Sequence, residues 1–246
     1  MIDEKILDIY FSRGLTVGIG FSNGQVCIEA AIALASREPL TDRPSCVSPI
    51  DRKFWIGLND APWSSPEARA EALRPAVLPQ IGTAGTDRGP WVRALVLGII
   101  REVLPLALHA VAKVVPDHAA PILAAAERCS AASDLAAASE AAKTAERVAA
   151  RTAWATQAAR AANATKMVER AAWAATWAAT DTAKTATAAT ATTAANALSA
   201  AADAAAESAW AMEAARAERT AKAAMAHDNI LQTAIQVGLR AYEQTA

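Results

Sequence analysis

From Ile122 to Val237 the chain contains neither glycine nor proline. All eleven Pro lie at or before Pro121. Nine of the ten Gly lie at or before Gly98, and the tenth is Gly238. Gly and Pro are the strongest local breakers, so the first half is densely punctuated and the second is free to run as long helices. Between Ala119 and Ala226, 51 of 108 residues are Ala. Together these 51 residues favour helix by about 15–25 kcal/mol over an average composition.

Such helices need an unusual core. Between Leu123 and Ala226 the only branched aliphatics are Leu123, Leu135, Val148, Val168 and Leu198. Methyl groups bury little area each, so the helices must approach closely to gain dispersion contacts, and small side chains permit that approach. Trp154, Met167, Trp173, Trp177, Trp210, Met212 and Met225 are then expected to fill the wider gaps.

A 33-residue spacing runs through this half. Asn163, Asn196 and Asn229 keep it, Ser130 holds the earlier equivalent position, and Trp177 and Trp210 repeat it. Asn and Ser compete with the helix backbone and prefer its ends, so they are read as corners. The units are 130–162, 163–195 and 196–228, with a last helix beginning after His227-Asp228-Asn229. Helices of that size reach about 42–45 Å and suit a bundle or stacked helical hairpins. Thirty-three is also three elevens, the period of one straight helix, so a continuous rod is the rival reading.

The first half reads as shorter elements. Leu15–Phe21 and Gln25–Ile28 flank Ser22-Asn23-Gly24, a tight-turn sequence, and predict a β-hairpin over 15–28. Helices are expected from about Val26 or Cys27 to Ser36, from Ile50 to Leu58, and from Ser65-Pro66-Glu67 to about Val77. Trp91–Val115 is the most hydrophobic stretch. Arg93, Arg101 and Glu102 interrupt it, which favours a buried core helix over a membrane span, and Pro105 is expected to kink or break it. The composition divides the chain into a mostly helical region 1–121 and an Ala-rich region 122–246.

Charge narrows the function. With 24 basic and 25 acidic side chains the net charge is −1, so no nucleic-acid grip through bulk positive charge is expected. Met1-Ile2-Asp3-Glu4-Lys5 is acidic where a secretory signal starts basic, so a cytoplasmic location is expected, with no membrane partner. Cys27, Cys46 and Cys129 lack Cys-x-x-Cys spacing, and His109, His118 and His227 lack a metal pattern, so neither metal nor cofactor is expected. Cys27 sits at a helix start, where the dipole lowers a thiol pKa. Paired with His109 or His118 it is the candidate for a small thiol-dependent hydrolase or transferase. Asn59-Asp60 before Pro62 reads first as a helix-terminating turn.

Threonines give a second candidate. Thr165, Thr176 and Thr187 are 11 residues apart, and Thr182 and Thr193 repeat the spacing. The run Thr192-Thr193-Ala194-Ala195-Asn196-Ala197 resembles the alanine-rich type I fish antifreeze helices, over residues 165–198. That resemblance implies an ice-binding face of Thr on Ala. A further resemblance rests on Cys27-Ile28-Glu29-Ala30, Arg43-Pro44-Ser45-Cys46-Val47-Ser48-Pro49, Asn59-Asp60, Leu73-Arg74-Pro75 and Ile81-Gly82-Thr83. Their order is similar to uncharacterised bacterial or phage proteins in which a compact N-terminal segment precedes Ala-rich, Trp-bearing helical repeats. It implies architecture and no particular reaction.

The expectation is a mainly α protein: an N-terminal hairpin with helices, then an Ala-rich long-helix bundle or stacked hairpins. Its expected role is a non-enzymatic helical scaffold or protein-interaction module, binding a protein partner or a second copy of itself.

Overall fold

A computed structural model describes residues 2–155, 159–182, 187–194, 196 and 218–245, with side chains described at all of these except 154, 155, 159–163 and 218–224. The chain opens with α1 (Glu4–Ser12), capped by Asp3, whose carboxylate accepts from Lys5 N–H, and anchored by buried Leu7, Tyr10 and Phe11. Next come α2 (Ile28–Ala35), α3 (Pro49–Asn59) and α4 (Pro66–Leu73), begun by the side chains of Cys27, Ser48 and Ser65. The chain expected to remain helical to Val77 instead narrows at Pro75 to a 3₁₀ turn, Arg74–Ala76. One turn, α5 (Val77–Gln80), follows.

The hairpin expected over 15–28 does not form. Among the described residues there is no strand, only one isolated antiparallel bridge between Gly20 and Val26. Glycine explains the difference. Gly18 and Gly20 take φ of +68° and +74°, outside extended backbone, and the Gly18 N–H donates to the Asp60 carboxylate at 3.0 Å instead of to a strand. The turn survives: Gly24 N–H donates to the Phe21 carbonyl at 2.9 Å. Leu15 and Val26 anchor the ends of the loop in the core.

The hydrophobic stretch forms the pillar of the protein. It comprises α6 (Gly89–Gly98), a π turn (Ile99–Val103) and α7 (Leu104–Val114). Pro105 has no N–H to offer the preceding turn. The helix widens into the π turn just before it and continues, so the chain does not break there. Gly89–Val114 is long and apolar enough to cross a membrane by length and composition, yet more than half of its most apolar window is buried inside the protein.

Around this pillar lie α8 (Ala119–Ser130), α9 (Leu135–Ala155), α10 (Ala159–Thr182) and α11 (Glu218–Glu243). Helix α8 packs on α7, and α10 packs on α6 and α7. Helices α9 and α10 form an antiparallel pair: the hydroxyls of Ser139, near the start of one, and Thr180, near the end of the other, are 3.4 Å apart. The chain therefore folds back here and is not a continuous rod. The seam is made of methyl groups: Ala138, Ala142, Ala145 and Ala149 of α9, and Ala164, Ala171, Ala175 and Ala178 of α10, are all buried.

Asn163 and Asn229 do not mark corners, and the residues on either side of Asn196 lie outside those described. Asn163 lies inside α10 and Asn229 inside α11, while Ser130 does end α8. The break expected at His227-Asp228-Asn229 is absent because α11 runs through it. There His227 is buried, and Asp228 accepts hydrogen bonds from the backbone and hydroxyl of Ser64. Most of unit 196–228, with Leu198, Trp210 and Met212, lies outside the described residues, as does the side chain of Trp154.

Helix α11 returns to the first half of the chain, packing on α6, the π turn and α4. The solitary late glycine explains how closely. A methyl group on Gly238 would meet Trp55 Cη2 at 2.9 Å and Phe54 Cε1 at 3.0 Å.

Candidate functional site

The sequence candidates separate in space. Cys27 is buried, and its sulfur accepts from the Ala30 N–H at 3.4 Å as the cap of α2. Burial, opposed by that hydrogen bond and helped by the carboxyls of Glu29 and Asp60, pushes the thiol up to about 11. A helix start was expected to activate it, but desolvation outweighs the dipole. The charged groups acting on the thiol are thus carboxyls. His109 is exposed on α7, and His118 is half-buried in the turn before α8. Asn59 is brought close: its Oδ1 accepts from Ile28 N–H at 3.2 Å, and its amide donates to the Thr16 carbonyl at 2.8 Å. It pins loop 16–27 to α3. Among the described residues, no three His, Cys, Asp or Glu gather into a metal-ligand group.

The threonines do not share one exposed line. Thr165 and Thr182 are buried, while Thr176, Thr187 and Thr193 are half-buried. Thr176, Thr182 and Thr193 return their hydroxyl protons to carbonyls one turn back. Thr187 is outside α10 altogether. Its hydroxyl accepts from Thr190 N–H at 3.3 Å, where the chain becomes helical again over 188–194, and together with Thr190 it meets the Asp181 carboxylate.

Sequence reasoning missed a buried polar cluster. Arg88 forms a two-pronged pair with Asp51, Nε to Oδ2 at 2.8 Å and Nη2 to Oδ1 at 2.9 Å. The Tyr242 hydroxyl donates to the same Asp51 and accepts from Trp55 Nε1 at 3.0 Å. The guanidinium lies 5.0 Å from both the Trp91 and Tyr242 ring centres. Burial, followed by the Asp51 charge, drives the Tyr242 phenol well above its usual range. Both Asp51 carboxylate oxygens, Arg88 Nε and Nη2 and the Tyr242 hydroxyl are engaged with one another, so the cluster acts as a clasp for α11. Beside it, Glu29 is fully buried with neither carboxyl oxygen hydrogen-bonded, and desolvation raises it to about 8.

A different feature faces outward. Trp173 and Trp177 were expected to fill gaps between helices. They are instead 56% and 49% exposed, and Met225 is 71% exposed. Along α10, Lys166, Arg170, Trp173, Trp177 and Thr180 are all exposed. Their 4-3-4-3 spacing draws them into one narrow stripe. Ala164, Val168, Ala171, Ala175, Ala178 and Thr182 carry the same spacing on the opposite, buried side. Helix α10 thus has two seams: a small-residue seam filled by its own fold, and a cation–aromatic seam facing solvent. The signal was present in the sequence. Trp173 and Trp177 are in register with Lys166 and Arg170, charged residues that seldom face a core.

The chain matches no protein-family model, no curated protein and no solved structure.

Proposed function

We propose that this chain is a non-enzymatic helical interaction module that docks its partner on the Lys166–Thr180 stripe of α10, working in the cytoplasm. The observation that carries this reading is the pair of adjacent, half-exposed indoles on an otherwise Ala-built helix. Holding two Trp in water forgoes burial worth roughly 25 cal/mol per Å² of apolar surface. The buried face of α10 is filled by small side chains, Ala164, Val168, Ala171, Ala175, Ala178 and Thr182, and uses neither indole. Trp and Arg are the side chains most enriched at the energetic centres of protein interfaces. The buried groups support the same reading: the Cys27 thiol is held protonated, and Asp51 and Arg88 are spent on each other.

The test is site-specific photo-crosslinking in the cell, with the reactive residue at position 180, at the end of the stripe. A discrete cross-linked protein product that disappears in the Trp173→Ala/Trp177→Ala variant is expected. Finding no stripe-dependent product overturns the reading.

A further inference from the structure

Resting on that reading, we infer that the partner seated on the α10 stripe is a second copy of this chain, with the two α10 helices antiparallel about a two-fold axis. The stripe is complementary to itself. In a two-fold antiparallel pair of helices, position i of one copy faces position j of the other with i + j constant, and every contact occurs twice. Centring the axis between Arg170 and Trp173 places Arg170 opposite Trp173 of the second copy. The same axis places Lys166 opposite Trp177. One operation thus turns both cations onto both indoles.

A guanidinium or ammonium over an indole face is a favourable pairing, and Trp is the best ring for it. The alternatives fare worse. A parallel pair in register would stack Arg170 on Arg170 and Lys166 on Lys166, like charge on like. The 4-3-4-3 spacing is that of a coiled-coil seam, whose antiparallel layers join each position to its complement. Helix α10 already holds one helix, α9, in antiparallel contact, and that contact reaches the end of the stripe, where the Ser139 hydroxyl meets Thr180.

The interface is small. Four half-exposed indoles bury on the order of 500 Å² between two copies. With their flanking side chains they stay below the roughly 1,200 Å² of weak, transient contacts. The pairing is therefore a concentration-dependent equilibrium and not an obligate dimer.

Sedimentation velocity of the full chain, from about 1 to about 300 µM, tests this. Wild type is expected to shift from monomer toward dimer mass across that range. Trp173→Arg sets Arg against Arg and is expected to weaken association at least about tenfold. The exchanged pair Arg170→Trp/Trp173→Arg restores the facing partners and is expected to restore the dimer. All four residues are solvent-facing, and circular dichroism of each variant checks that the helices persist. A wild type that stays monomeric throughout overturns the inference, as does a dimer indifferent to Trp173→Arg or an exchanged pair that fails to recover. Mass shifts that appear only on adding an oligonucleotide or anionic vesicles also overturn it. Cross-linking from position 180 separates the two readings: a stripe-dependent product with a different protein sinks the dimer and keeps the module.

Discussion

The indole N–H of Trp91 donates to the backbone carbonyl of Gly238 at 3.2 Å, joining the hydrophobic pillar to the last helix across 147 residues. That contact exists because position 238 has no side chain. The Phe54 and Trp55 rings occupy the volume a methyl would need, and they pack edge-on at 4.8 Å between centres.

Gly238→Ala is therefore expected to destabilise the protein by about 1–3 kcal/mol, the cost of overpacking a filled core. Chemical denaturation of the variant measures it. Gly24→Ala is the control: its added methyl meets nothing nearer than 3.9 Å and should change little.

The Asp51–Arg88 pair makes a second, larger claim. Asp51→Asn leaves a buried guanidinium without its counter-charge and is expected to cost about 3–5 kcal/mol. Replacing both partners, Asp51→Leu with Arg88→Met, removes the stranded charge and is expected to cost less than Asp51→Asn alone. Denaturant midpoints of the three proteins decide between a clasp that needs both ions and one that needs only packing.

The sequence made the helices legible more readily than their neighbours. Ser65-Pro66-Glu67 and Cys27 mark helix starts because capping is a local event, decided within four residues. Loop 15–28 was misread because alternating apolar residues say nothing of glycine φ. The corners of the Ala-rich half were misread because Asn163 and Asn229 are tolerated inside helices once tertiary packing holds the backbone. The Asp51–Arg88–Tyr242 clasp was invisible for a different reason. Its members are 37 and 191 residues apart, and no local pattern joins them. The stripe is legible in spacing, but an indole's large apolar area fits a core as well as an interface, so spacing alone does not say which face is exposed.

Arg37 offers a stabilising change. It follows α2 with φ +63°. Its N–H donates to the Leu34 carbonyl at 3.0 Å, and the next residue, Glu38, donates to Ala33 at 2.9 Å. This is the helix-ending motif that glycine usually serves. Arg37→Gly relieves the left-handed backbone and is expected to raise stability by about 1 kcal/mol, read from the denaturant midpoint.

Glu29 gives the protein a pH signature. Burial raises its carboxyl from an ordinary 4.5 to about 8; Arg52 opposes the rise, and Asp51 and Asp42 reinforce it. Between those two values the folded chain holds a proton that the unfolded chain releases. The sign follows: the stability linked to this group is full below about 4.5 and falls as pH rises toward 8. Glu29→Gln is expected to flatten that slope and to be the more stable protein at pH 8. Urea denaturation at several pH values checks both.

The central claim is that Trp173 and Trp177 serve binding and not folding. Thermal unfolding of Trp173→Ala/Trp177→Ala, followed by circular dichroism at a concentration where the chain is monomeric, tests it most directly. Full helix content and a Tm within about 2 °C of wild type are expected, since side chains outside the core carry little of the stability. A fall of more than about 5 °C in Tm would place the two indoles in the folding core and contradict it.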